Sequence, residues 1–171
     1  MKPRQLILLF VLGGLLVENA ESQTEKQQNK ENTMKRVIGI GGIFFKSKDP
    51  KNLKQWYAKH LGVTASDESG STFEWRSVEN PDQKGHTIWS PFKHDTKYFE
   101  PSTKEFMFNY RVENLVTLLE ELRKEGVTVV GTMEEYEYGK FGWILDPDGN
   151  KIELWEPPAK GYDWPGAIQM K

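Results

Sequence analysis

Few residues in this chain are equipped for chemistry. Glu153 stands in Ile152-Glu153-Leu154-Trp155, a carboxylate near an indole. Away from any metal, such surroundings raise a carboxyl pKa and suit it to general-base work, and Glu153 is the catalytic candidate. The plainer reading is a Glu paired with Arg. Arg111 carries the planar fork that grips a carboxylate or phosphate; an internal salt bridge to Glu153 or Glu74 is its alternative. Asn109 either orients a ligand carbonyl or satisfies backbone groups. His60 lies beside an apolar helical stripe and His94 in a polar connector, and a His-based catalytic pair is not supported. The chain has no Cys, so disulfides, thiolate nucleophiles and Cys-ligated metals are excluded. Tyr136 and Tyr138 fall in the segment Glu134 to Lys140, read as a loop able to close over a cleft or simply to pack on the surface.

The elements that must position these groups are organised around Phe141 to Pro157. Asp146-Pro147-Asp148-Gly149 is a tight turn: Pro147 presets φ, and Gly149 accepts the left-handed conformation that closes a hairpin. Strand alternation then sends Ile152 and Leu154 one way and Glu153 and Trp155 the other. An upstream echo pairs Phe73-Glu74-Trp75 with Phe141-Gly142-Trp143, Pro81-Asp82 with Pro147-Asp148, and Trp89-Ser90-Pro91 with Trp155-Glu156-Pro157. The earlier copy has two extra residues before its turn. A unit present twice points to a duplicated supersecondary module.

Each copy reads strand, helix, three strands. Val37 to Phe45 is a strand, Asp49-Pro50 caps a helix with the stripe Leu53, Trp56, Tyr57 and Leu61, and Gly62 ends it. Val63 to Ala65 is a short strand, followed by a hairpin from Thr72 to Pro91. Residues 92–104 form a polar, aromatic-dotted connector. Phe106 to Val112 is a strand, Asn114 caps a helix with the stripe Leu115, Leu118, Leu119 and Leu122, Gly126 stops it, and Val127 to Val130 leads to the last hairpin. Phe106, Phe108, Tyr110, Ile152 and Leu154 share the helix-packed face. The faces of Trp75 and Trp143 are left open by the unequal hairpins.

The 171 residues, 37% hydrophobic and 28% charged with a net charge of −2, suit one globular core and give no electrostatic case for nucleic acid. Residues 1–22 have a basic start, an apolar run and a small-x-small end, the pattern of an export signal too short for a comfortable membrane span. The expected location is secreted or periplasmic, with no membrane association after signal removal; a start at Met34 would make the protein cytoplasmic. Residues 23–36 read as a disordered linker, 37–158 as one domain with modules at 37–91 and 105–157, and 159–171 as a tail able to dock or to fray.

Two tandem βαβββ modules, with Asp49-Pro50 before the first helix and Asp146 to Leu154 at the end, resemble the vicinal oxygen chelate superfamily of glyoxalase I, bleomycin-resistance proteins and extradiol dioxygenases. The resemblance implies an α+β fold whose curved mixed sheet surrounds a central cleft. It also implies a divalent metal held by one residue from each of four strands in the enzymatic members. Counting seven residues back from each helix cap carries two of those positions to Gly42 and Met107; the closing motif gives Glu153, and the Trp89–Trp155 match gives Thr87. Gly has no donor, a thioether suits hard ions poorly and a hydroxyl binds weakly, so no metal site is assigned and no cofactor is expected.

Alternation from those positions gives a cleft of Phe44, Thr87, Trp89, Met107, Asn109, Arg111 and Trp155, with Gly42, Lys46 and Glu153. His86 matches Ile152 and is expected on the helix side, a placement that a one-residue slip would reverse. The leading expectation is a small organic molecule bound in the cleft without metal. A metal-dependent lyase of the glyoxalase I type, or a dioxygenase, using His86 with Glu153, is the alternative. A purely structural domain would instead fill the cleft with its own side chains. Dimers are frequent in this fold, so a homodimer is a further expectation.

Overall fold

A computed structural model describes residues 36–66, 70–78, 80–162, 164 and 167–169. The export signal, and the linker apart from Arg36, lie outside the described residues. The strands are β1 (Val37–Ser47), β2 (Ser71–Arg76), β3 (Lys84–Lys93), β4 (Phe106–Val112), β5 (Val129–Tyr136), β6 (Gly139–Leu145), β7 (Lys151–Glu156) and β8 (Ile168–Gln169), with helices α1 (Pro50–Leu61) and α2 (Leu115–Lys124). They build one open, mixed sheet in the order β5-β6-β7-β4-β1-β3-β2-β8. The antiparallel pair β1 and β4 forms its centre, flanked by the parallel partners β3 and β7. The α+β, glyoxalase-like architecture expected from sequence is the one observed.

Local chemistry explains the helices. Asp49 accepts from the Asn52 N–H at 3.0 Å, Pro50 opens α1, and Gly62 closes it at φ 69°. Asn114 accepts from Thr117 N–H, and Glu156 takes the Leu115 N–H at 2.6 Å, tying the start of α2 to the end of β7. Leu115, Leu118 and Leu119 are buried, and Gly142 leaves the space that Leu119 fills. The weaker α1 buries no residue completely: Tyr57 packs on Trp89, whereas Trp56 and Leu61 of the expected stripe are 50% and 60% exposed.

Three elements differ from expectation. Val63 to Ala65 forms no strand. The outer position beyond β2 is taken by β8 of the tail, in parallel pairing of Phe73 with Ile168. β5 continues to Tyr136, so the expected loop shrinks to Glu137 and Tyr138. On the helix side the centre of the sheet is only partly covered: Ile43, Phe106 and Phe108 are each about 40% exposed.

Candidate functional site

The inner face is fixed by register. Gly42 pairs with Ile88 on β3 and with Asn109 on β4, and Asn109 pairs with Glu153 on β7. Partners across a ladder share a face, so Ile88, Gly42, Asn109 and Glu153 form one row across the four central strands. One step along, Phe44 pairs with Met107; in the other direction, Arg111 pairs with Trp155.

Glu153 is 2% exposed and fully engaged. One carboxylate oxygen accepts from Asn109 Nδ2 at 2.6 Å; the other accepts from Trp143 Nε1 at 2.8 Å and from the Tyr98 hydroxyl. Burial raises its pKa, opposed by those three donors and by Lys151. Lys151 donates to the Tyr98 carbonyl at 2.6 Å and lies 5.2 Å from the ring centres of Tyr98 and Trp143. Burial lowers its pKa and Glu153 pulls it back up.

Tyr98 and Phe99 come from the connector, which reads from sequence as a polar, aromatic-dotted segment. Phe99 is completely buried among Phe44, Met107 and Trp143, with Phe92 against it, and the rings of Phe92 and Tyr98 stack 5.5 Å apart. This end of the inner face is filled by the chain itself. The signal lies in the adjacent aromatics Tyr98-Phe99 within otherwise polar surroundings, a pair that cannot both lie idle in water.

The other end is open. A cavity of about 300 Å³ is lined by Arg111, Trp155, His86, Lys84, Tyr162 and Trp164 among others. Its outer wall is the tail: Trp164 packs edge-on against Trp155, and Tyr138 joins Tyr162 and Trp164. The Trp155 indole donates to the Tyr138 carbonyl at 2.9 Å. Arg111 is 8% exposed, with its guanidinium 5.8 Å from the ring centres of both Trp75 and Trp155. Burial alone lowers its pKa, and the alternative reading, a salt bridge to Glu153 or Glu74, does not form.

Of the residues expected in the cleft, Phe44 and Met107 pack into the buried cluster, Asn109 bonds Glu153, and Arg111 and Trp155 line the cavity. Trp89 contacts Phe45 and Tyr57 of α1, so it faces the helix layer, and Thr87 shares its parity. The Thr87 hydroxyl bonds the Ile40 carbonyl at 2.8 Å and receives the Trp75 indole N–H. His86, expected on the helix side, instead alternates with Ile88 and Phe92 toward the inner face, 3.8 Å from Glu74 across the strand pair. The cause is a one-residue displacement of the first hairpin relative to the second, which turns every side chain over. The same displacement separates the two matched tryptophans: Trp143 points at Glu153, whereas Trp75 lies over Gly85 and Gly39.

A four-cornered metal site does not fit these residues. Gly42, Thr87, Met107 and Glu153 do not share a row; the true row offers Ile88, Gly42 and Asn109 beside the single carboxylate, whose oxygens already accept three hydrogen bonds. Among the described residues no group of three His, Cys, Asp or Glu side chains is placed to hold an ion, so His86 with Glu153 lacks a third ligand.

Among solved structures, a variant of the methylmalonyl-CoA epimerase of Streptomyces coelicolor in complex with 2-nitronate-propionyl-CoA is similar at 13% identity and TM-score 0.52, over 72% of this chain and 99% of that one. A methylmalonyl-CoA epimerase in complex with methylmalonyl-CoA and NH4+ matches at 13% identity and TM-score 0.52, over 74% and 99%. The methylmalonyl-CoA epimerase of Mycobacterium tuberculosis is 21% identical with TM-score 0.46, over 75% and 93%. At these identities the likeness is one of fold. No curated protein sequence matches the chain. The family model for the Glyoxalase/Bleomycin resistance protein/Dioxygenase superfamily matches residues 39–154, most of the described sheet, and the chain belongs to that superfamily.

Proposed function

We propose that this chain is a small-molecule-binding member of the superfamily that works without the divalent metal of its enzymatic relatives. Its ligand sits in the cavity between the inner sheet face and the tail. The carrying observation is the division of the inner face. At the Glu153 end the space is occupied by Tyr98 and Phe99, and the carboxylate is held by three donors. At the Arg111 end a concave space remains, walled by Trp155, Trp164 and Tyr162 and by the polar side chains of Asp82, Gln83, Lys84, His86, Arg111 and Lys160. That mixture is the usual make-up of a small-molecule site.

Glu153 in this arrangement organises the wall and does not abstract protons. The export pattern in residues 1–22 supports binding outside the cytoplasm, which fractionation of cells making the full chain checks. The test of the main reading is twofold. Metal analysis of the purified protein, with calorimetric titration of Zn²⁺ and Mn²⁺, should show no stoichiometric ion. A thermal-shift screen of small aromatic and acyl compounds should show stabilisation that Trp155→Ala removes. One equivalent of tightly held metal, or a screen with no hit, defeats the proposal.

A further inference from the structure

Resting on that reading, the structure also indicates the charge of the ligand. Arg111 stands in an unusual environment for a cation. It is almost buried, sits near two indoles, and no carboxylate of the described residues forms an ion pair with it. The nearby acids on neighbouring strands are engaged elsewhere. Glu153 accepts from Tyr98, Asn109 and Trp143; Glu74 is paired with Arg76, Lys84 and His86; Glu156 is held by Lys140 and the start of α2. A guanidinium keeps its proton at neutral pH even when burial disfavours it, so the inner face carries a standing positive charge. Two indoles within cation–π range offset part of its desolvation and leave the N–H fork without a charged acceptor among the described residues.

We propose that Arg111 receives the anionic head, a carboxylate or phosphate group, of a ligand whose apolar body rests on Trp155, Trp164 and Tyr162. The fork matches two oxygens of either group. Lys160 in the lining adds positive field, against Asp82 as the one carboxylate residue among the described lining residues. The two indoles flank the guanidinium before a ligand arrives, so little rotamer freedom is lost on binding.

The test uses the purified full chain and four probes: benzoate and phenyl phosphate as anions, benzamide and benzyl alcohol as their neutral counterparts. Calorimetry and tryptophan fluorescence report affinity for the wild type, Arg111→Met and Arg111→Lys. In the wild type at least one anion should bind about tenfold or more tighter than its neutral counterpart. Added salt should weaken the anions and leave the neutral probes unchanged. Arg111→Met should erase the preference while keeping affinity for the neutral probes, and Arg111→Lys should keep only part of it. Comparing benzoate with phenyl phosphate tells which head group the fork prefers. Neutral probes binding as tightly as anions, or a preference that survives Arg111→Met, overturns the charge assignment and leaves the small-molecule reading standing. Absence of binding by all four probes at millimolar concentration defeats both. Should Arg111→Met fail to fold by near-ultraviolet circular dichroism, salt dependence in the wild type and the Arg111→Lys ratio decide the matter.

Discussion

Replacing Glu153 by Gln and by Met separates its charge from its hydrogen bonds. In Glu153→Met the Tyr98 hydroxyl, Asn109 Nδ2 and Trp143 Nε1 lose their acceptor. Tyr98 is 37% exposed and can turn to water, whereas Asn109 and Trp143 are 3% and 6% exposed and cannot. Two orphaned donors at about 1–3 kcal/mol each give a loss of about 2–6 kcal/mol. In Glu153→Gln the carbonyl keeps Trp143 and Tyr98, and the new amide meets Asn109. Asn109 Oδ1 has no partner in the native protein, so a flip of that amide supplies the missing acceptor. The cost should then fall within about 1 kcal/mol, because removal of a buried charge works in its favour. The pH dependence carries a sign. Burial raises the Glu153 carboxyl in the folded chain, so its contribution to stability is fully present below the ordinary Glu range and is lost as pH rises through the raised native value. Relative to the wild type, Gln should therefore gain as pH rises above the ordinary Glu range, read from urea unfolding midpoints at constant m-value. A Gln variant as unstable as the Met variant, or a Gln-to-wild-type difference that ignores pH, would refute the assignment.

Phe99→Ala empties a fully buried ring position between the sheet and the connector, so urea unfolding should show a loss of about 3–5 kcal/mol; a loss well under 1 would mean the plug is superficial. At Gly41 an added Cβ would lie 2.0 Å from Asn109 Oδ1 and 2.9 Å from Trp155, so Gly41→Ala should cost about 1–3 kcal/mol and shift the Asn109 side-chain amide resonances in NMR spectra. Asp146 accepts from Asp148 N–H, Asn150 N–H and the Asn150 side chain, and these hold its carboxyl below the usual range. Its contribution is thus present above the ordinary Asp value and lost as pH falls through the lowered one; Asp146→Ala should flatten that part of the acid unfolding curve. Trp164→Ala removes part of the cavity's outer wall and should weaken benzoate binding several-fold in calorimetry with little change in thermal stability.

The second half of the fold is readable because each of its signals is local. The turn Asp146 to Gly149, the Leu115–Leu118–Leu119 stripe and the alternation along β4 and β7 are set by neighbours within a few residues. The first half misleads where a signal has to be transferred across the chain. Matching Trp89 to Trp155 fixes a register by letters alone, and a displacement of one residue then puts Thr87 and Trp89 on the helix side and brings His86 inward. Alternation cannot detect such a slip from within, since both parities of β3 contain aromatic and polar residues. The missing strand at Val63 to Ala65 has the same origin: an outer strand is decided by what pairs with it, and the tail's Ile168 competes for that place.

The connector completes the end of the inner face at which Glu153 lies. Once the row beside Glu153 reads Ile88, Gly42 and Asn109, a lone buried charge would be costly and the neighbouring space would be wet. Tyr98 and Phe99 address both at once, the hydroxyl as a donor to the carboxylate and the rings as filling against Phe44, Phe92 and Met107. Closing that end leaves the unsatisfied chemistry of the inner face two residues further along β4 and β7, at Arg111 and Trp155. There the tail completes the enclosure. The consequence is directional: changes at Tyr98 or Phe99 should register in stability first, changes at Arg111 or Trp164 in ligand affinity first. A variant of the plug that altered probe affinity without altering the unfolding midpoint would show that the two ends of the face are one site.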